Sequence, residues 1–146
     1  MEQLVEALKK AQATSFAFYL KAHNYHWNVE GSNFAEYHEF LGDLYAEVFG
    51  AVDAIAEHCR TLDAYVPGSF SRFQELSSIE DELSVPTGRV MMVRLLADNQ
   101  RVLDDLMSAH AAAEAAGKRG IVNFIEDRID KHDKHGWMLR SYTKGE

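Results

Sequence analysis

Four stretches of helical periodicity, separated by a short, a long and a short interruption, constrain this chain more than any other feature of its sequence. Leu4, Leu8, Ala11, Ser15, Phe18, Ala22 and Tyr25 recur at the spacing that lines one face of an α-helix. The run stops at Asn28-Val29-Glu30-Gly31-Ser32, a turn-forming cluster whose glycine can cap a helix C-terminus. Asn33, with Glu36 three residues on, predicts a capping box for a second helix. That helix carries Phe34, Tyr37, Leu41, Leu44, Val48, Val52, Ile55, Cys59 and Leu62. Some thirty residues of helix are about 45 Å long, so two such helices joined by a turn should pack antiparallel.

From Asp63 to Pro86 the texture changes. Pro67-Gly68-Ser69 breaks the chain, and Phe70-Ser71-Arg72-Phe73-Gln74-Glu75-Leu76 predicts a short helix before Pro86. Thr87 opens a third long helix through Val90, Val93, Leu96, Leu103 and Leu106 that ends near Gly117. A fourth runs from about Gly120 to Tyr142 through Ile121, Ile125, Ile129 and Trp137. Residues 1–146 therefore read as one all-α domain, a ferritin-like four-helix bundle whose long crossover carries a short helix. There is no internal repeat, no low-complexity segment and no strand pattern.

Composition narrows the partners. No apolar run approaches the roughly 18 residues that span a bilayer. Met1 to Gln12 lack the basic-then-apolar layout of a signal peptide. Cys59 is the only cysteine, so no intrachain disulfide can form, and a reducing cytoplasm fits best. A formal net charge of −8 argues against general affinity for nucleic acid and suits a protein that attracts cations.

The second helix holds an odd stretch, Val48-Phe49-Gly50-Ala51-Val52-Asp53-Ala54-Ile55-Ala56-Glu57. Apolar or small residues point in every direction around it, which predicts burial on all sides. Asp53 and Glu57 interrupt it at i, i+4, so both carboxylates share one face. A solvated face is the ordinary explanation of such a pair. In apolar surroundings the pair instead needs a cation, and a metal is the economical choice. His38 lies on nearly the same face, but about 22 Å away along the helix axis. An antiparallel copy of the helix, placed by a two-fold axis, would bring His38 of one chain beside Asp53 and Glu57 of the other. His26 would come alongside His38 across the first hairpin. Such a mixed imidazole–carboxylate set suits iron or zinc better than calcium or magnesium. Spacing alone does not select His26: His23 and His26 are i, i+3, as are His132 and His135.

The segment His26-Trp27-Asn28-Val29-Glu30-Gly31, then Phe34 and His38, then Asp53-Ala54-Ile55-Ala56-Glu57, closely resembles the signature of the Dps (starvation-protection) family of mini-ferritins. The crossover Tyr65-Val66-Pro67-Gly68-Ser69-Phe70 with Glu75 to Ile79 is similar to the same family, as is the last helix with His132-Asp133 and Trp137 to Arg140. The resemblance covers nearly the whole chain. It implies a hollow homo-dodecamer that oxidises Fe(II), usually with hydrogen peroxide, and stores ferric mineral, so limiting oxidative damage. It also implies that His26 and His38 of one chain and Asp53 and Glu57 of another are the metal ligands. Trp27 would stand beside that site, where it could intercept oxidising equivalents. One position departs. The family commonly has a carboxylate four residues after His38, where this chain has Gly42; Asp43 is adjacent but turned about 100° around the helix. His58 follows Glu57 where the family commonly has arginine.

Two other readings stand beside an active ferroxidase. One is a structural cage whose centre, weakened by Gly42, binds metal but turns over slowly. The other is DNA compaction, since several family members bind DNA through lysine-rich tails. Here only Lys9 and Lys10 lie near the start, within the first predicted helix, and the end is weakly basic; an acidic shell would repel DNA, so this reading is disfavoured. Glu114, Glu126, Asp127 and Asp130 are candidates for lining a three-fold pore for iron entry, or equally for a solvated acidic face.

Overall fold

The computed structural model describes residues 1–145. It consists of helices α1 (Glu2–Asn28), α2 (Phe34–Thr61), α3 (Phe70–Leu76), α4 (Gly88–Ala115) and α5 (Arg119–Thr143), with no strand among the described residues. The short helix and all four long ones lie where the periodicity predicts them.

The helix ends follow local chemistry. Thr87 Oγ1 accepts from the amide of Val90, and Ser69 Oγ from that of Arg72, each satisfying one orphan donor of a first turn. After α4 the chain turns through Gly117 at φ +69°, with Lys118 N donating to Ala113 O and Gly117 N to Glu114 O. That paired pattern is a Schellman ending, and the positive φ is why glycine stands there. The α1–α2 turn corrects two expectations. Asn33 precedes α2, but its side chain makes no capping bond; its backbone, at φ −103° and ψ 25°, is not the extended form that aims a cap side chain at the helix. Likewise Gly31, at φ +117°, serves the turn, whereas α1 ends on an extended Val29.

The crossover sets the topology. It runs alongside α1 in the same direction: Gln12 donates to Pro67 O, Thr14 Oγ1 accepts from Ser78 N, Lys21 donates to Glu80 O, and the Tyr25 hydroxyl donates to Glu82. Asp105 on α4 accepts from both Thr14 and Ser78, at 2.7 and 2.8 Å, pinning the crossover to two helices at once. Having travelled the length of the bundle, the chain starts α4 at Gly88, where an added Cβ would stand 2.7 Å from the ring of Tyr37 near the start of α2. Thus α2 and α4 run parallel, and α1 and α5 run against them. Leu4, Leu8, Phe18, Tyr25, Leu41, Leu44, Ile55, Met91, Leu95, Leu106, Ile125 and Leu139 fill the interior.

Candidate metal centre

The last turn of α1 and the first turns of α2 bring His26 and His38 together. Their rings stack at 3.8 Å between centroids, 16° from parallel. Each ring donates from Nδ1 to the other residue's backbone carbonyl: His26 Nδ1 to His38 O at 2.7 Å, and His38 Nδ1 to His26 O at 2.8 Å. A carbonyl can only accept, so Nδ1 carries the proton in both rings and Nε2 keeps its lone pair. Backbone acceptors behind metal-binding histidines fix tautomer and ring orientation in this way. Phe34 stacks on His38 at 4.9 Å, extending the layer. Beneath it sits Gly42, whose missing side chain leaves room for the His26 ring: a Cβ there would stand 3.1 Å from His26 Cε1.

Partner choice now separates the histidines that spacing could not. His132 is fully buried, with Nδ1 donating to Asn99 Oδ1 at 2.8 Å and Nε2 accepting from Arg128 at 3.1 Å. Burial first, then the nearby Arg128 and His135 charges, holds its pKa well below the ordinary histidine value. His135 donates to Glu47, which also takes both arms of the Arg128 guanidinium. Burial opposes ionisation of Glu47, but the bonds from His135 and Arg128 outweigh it and hold that carboxyl far below its usual range. These residues make a self-satisfied polar network inside the bundle. The sequence signal for it was faint: Arg128, His132 and His135 share one helix face with no partner visible nearby in the chain.

His23 is likewise committed. Its Nδ1 shares a hydrogen bond with the Tyr19 hydroxyl at 3.0 Å, and its ring lies flat on Tyr45 at 3.8 Å. Burial, then His26, keeps its pKa below the ordinary value. Of the two i, i+3 pairs, only His26 is left facing His38. The His23–Tyr19 spacing of i, i+4 was readable in the sequence, but Tyr45 joins only through the hairpin.

Asp53 and Glu57 share a face of α2, as expected, but both are exposed in the single chain. The predicted all-round burial does not hold within one chain: Phe49 is 54 % exposed and Gly50 is open beside it. One face of α2 is bare, with Phe49 and Gly50 set among the exposed carboxylates Asp43, Asp53 and Glu57. The chain does not fold back to bring Asp53 or Glu57 to His26 and His38; among the described residues no three His, Cys, Asp or Glu side chains of one chain gather as a metal site. A complete set thus needs a second copy. Trp27 is 61 % exposed and stacks on His23 at 3.9 Å, while Asp43 is exposed. His58 lies against Phe124 of α5.

The four acidic candidates of the last two helices are all exposed. Glu126 accepts from His110 at 2.9 Å, and Glu114 stands 3.6 Å from the same ring, so His110 links two of them across the α4–α5 hairpin. Asp130 borders the same concavity with Met107, Ile129 and Asp133. No helix among the described residues is long and apolar enough to cross a membrane.

Known proteins agree with this architecture. The family model for the ferritin-like domain matches residues 5–145. Antigen TyF1 of Treponema pallidum subsp. pertenue is 30 % identical over 97 % of this chain and 80 % of its own length. The crystal structure of Dps from Staphylococcus aureus superposes with a TM-score of 0.95 at 27 % identity, covering 100 % of this chain and 98 % of that one. A Dps protein from Vibrio cholerae O1, described as a member of a broad superfamily of ferritin-like diiron-carboxylate proteins, gives 0.93 at 28 % identity over 98 % and 90 %. With its parallel α2 and α4, its helix-bearing crossover and its match across residues 5–145, the chain belongs to the ferritin-like domain family and, within it, to the Dps proteins.

Proposed function

We propose that this chain is the subunit of a mini-ferritin cage, a homo-dodecamer, that binds ferrous iron at sites shared between two-fold-related chains. The cage oxidises the iron with hydrogen peroxide and holds the ferric mineral inside, limiting oxidative damage in the cytoplasm. The observation that carries this reading is the reciprocal Nδ1–carbonyl pairing of His26 and His38, which leaves two parallel imidazoles with Nε2 lone pairs to offer. Asp53 of the partner subunit and Glu57 of the partner subunit supply the carboxylates, and the bare face of α2 supplies the contact.

Chemically, two neutral nitrogens and two anionic oxygens form a set with two negative charges. Such a set stabilises Fe(III) over Fe(II), because attraction scales with the ion's charge and is strong away from bulk water. Iron is the substrate here, and zinc suits the same four ligands. Crystals soaked in ferrous iron, with anomalous data at the iron edge, test the site; stopped-flow oxidation by peroxide tests the activity. Iron absent from the interface would sink the shared site.

Gly42 favours a second reading, a cage whose centre works slowly for want of one carboxylate. Slow oxidation by a fully assembled, metal-loaded cage would select it. Compaction of DNA has no support in the charge, which is −8 per chain.

A further inference from the structure

Glu82, on the crossover, is the acceptor at a junction of three segments. Its Oε1 takes the Tyr25 hydroxyl of α1 at 2.6 Å and a guanidinium N–H of Arg94 on α4. Its Oε2 takes the amide of Ser84 at 3.2 Å and the Ser84 hydroxyl at 2.9 Å. The Tyr25 bond first, then those from Arg94 and Ser84, outweigh burial and lower the Glu82 pKa to about 2. A carboxylate anion therefore stands there at neutral pH, and the phenol is the donor. Tyr25 itself is 1 % exposed and lies in the last turn of α1, one residue before His26. Helix ends fray, and the carbonyls of a last turn lack partners further along the helix. Here the Tyr25 carbonyl takes the amide of Val29, and the His26 carbonyl takes Nδ1 of His38. The bond returned from His26 Nδ1 to the His38 carbonyl measures 2.7 Å, so it tolerates little drift of that turn. The crossover bonds of Gln12, Thr14 and Lys21 lie further from His26 along α1.

We propose that Tyr25 and Glu82 are positioning residues for the metal centre: Glu82 holds the Tyr25 hydroxyl, and so keeps the last turn of α1 where His26 pairs with His38. The proposal rests on the reading of His26 and His38 as ligands. Neither Tyr25 nor Glu82 reaches the ion. They act through the α1 backbone, with Arg94 tying the junction to α4 and Ser84 fixing the local turn of the crossover. Without the anchor, the last turn drifts and His26 Nδ1 misses the His38 carbonyl. The ring then loses its fixed tautomer and orientation, and metal affinity falls as it does when any orienting partner of a ligand is lost.

Cobalt(II) titrated into the assembled, metal-free protein tests this, because its visible absorption reports both affinity and coordination geometry. Tyr25→Phe keeps the ring but removes the donor. It should bind cobalt about tenfold more weakly, the low end of the effect of losing an orienting partner, and show an altered spectrum at saturation. Glu82→Gln keeps an oxygen that accepts from Tyr25, so it should bind like wild type even where the lost Arg94 ion pair lowers the urea midpoint. Thr14→Val breaks the crossover's bonds to Asp105 and Ser78, about 18 Å from His26 along the helix. It should lower stability and leave cobalt binding unchanged. Wild-type affinity and spectrum in Tyr25→Phe overturn the proposal. So does equal weakening in Thr14→Val, which would mean general loosening, or in Glu82→Gln, which keeps the acceptor. Equal cobalt binding by wild type and His38→Ala is the separate failure of the ligand reading. Hydrogen–deuterium exchange in the metal-free protein then still decides the anchor. The Val29 amide should exchange several-fold faster in Tyr25→Phe and at the wild-type rate in Thr14→Val; an unchanged rate in Tyr25→Phe overturns it.

Discussion

Gly42 on α2 faces the imidazole of His26 so closely that a Cβ at position 42 would stand 3.1 Å from its Cε1 and 3.3 Å from its Nδ1. The glycine that removes an expected carboxylate is thus the residue that leaves His26 room to stack on His38. Two effects are entangled at this position, and two variants separate them. Gly42→Ala adds only the Cβ, so it should weaken zinc or ferrous-iron binding by displacing His26. It should also steady α2 by up to about 1 kcal/mol through helix propensity. Gly42→Asp adds the Cβ and a ligand, and should bind iron more tightly and oxidise it faster than wild type. Calorimetric titration with zinc and stopped-flow oxidation read both. Should Gly42→Asp behave like Gly42→Ala, the missing carboxylate is not what limits the centre.

His38→Ala and Asp53→Ala remove ligands that the proposal assigns to different chains, so each should empty the same site. Because both delete a direct ligand, affinity should fall by more than the roughly 10- to 100-fold expected from losing an orienting partner. Particle size should be unchanged, since each substitution trims one polar side chain and leaves the rest of the contact face, Phe49 included, in place. Metal content after gel filtration, measured by plasma mass spectrometry, decides it; normal metal content in both variants ends the shared-site proposal.

Acid should destabilise the fold in two stages. His132 is neutral in the folded chain with its pKa well below the ordinary value, whereas an unfolded histidine titrates near 6.5. Below about pH 6.5 the unfolded state binds the extra proton, so stability falls as pH drops, by up to ~1.4 kcal/mol per pH unit for each chain. Glu47 has the same sign: its folded pKa is depressed, so its contribution is complete above about pH 4.3 and is lost as pH falls further. Urea midpoints at pH 7, 6 and 5, at one protein concentration, should fall for wild type. They should fall less for His132→Gln, although that variant starts lower because Arg128 loses its acceptor. A flat wild-type profile would contradict a buried neutral His132.

Assembly should be obligatory. Phe49, Trp27 and Phe70 are 54 %, 61 % and 82 % exposed in the single chain, and among the described residues no metal site gathers within one copy. Light scattering at micromolar concentration should find a large particle and no monomer. A stable monomer there would remove both the cage and the two-chain site.

Neutralising Glu114, Glu126, Asp127 and Asp130 together should slow iron uptake, and wild-type uptake should fall as salt is raised, because exposed charges steer ions only over about a Debye length. His110 joins Glu114 and Glu126, so His110→Ala should free both carboxylates and leave uptake intact. Uptake unaffected by the fourfold neutralisation would mean that these residues are a solvated face.

The sequence alone determined the bundle. Helical periodicity, the break at Pro67-Gly68 and the stop at Gly117 are local signals, and local chemistry honours them: the φ of +69° at Gly117 and the side-chain caps at Ser69 and Thr87 come from the chain's own neighbours. It also placed Asp53 and Glu57 on one face, because a helix fixes i, i+4. Asn33 was misleading in detail, since its composition suits a cap but its backbone angle, set by the turn before it, does not. Which histidines could serve a metal was beyond local reach. His23, His26, His132 and His135 have equivalent spacings, and only long-range partners distinguish them: Tyr45 covers His23, Asn99 and Arg128 consume His132, and Glu47 engages His135. Only His26 meets His38, ring on ring, because the turn between α1 and α2 sets the register of the hairpin. The exposure of Asp53 and Glu57 was equally a tertiary decision: the bundle buries only the stripe of α2 that faces its own helices, and leaves the opposite stripe exposed.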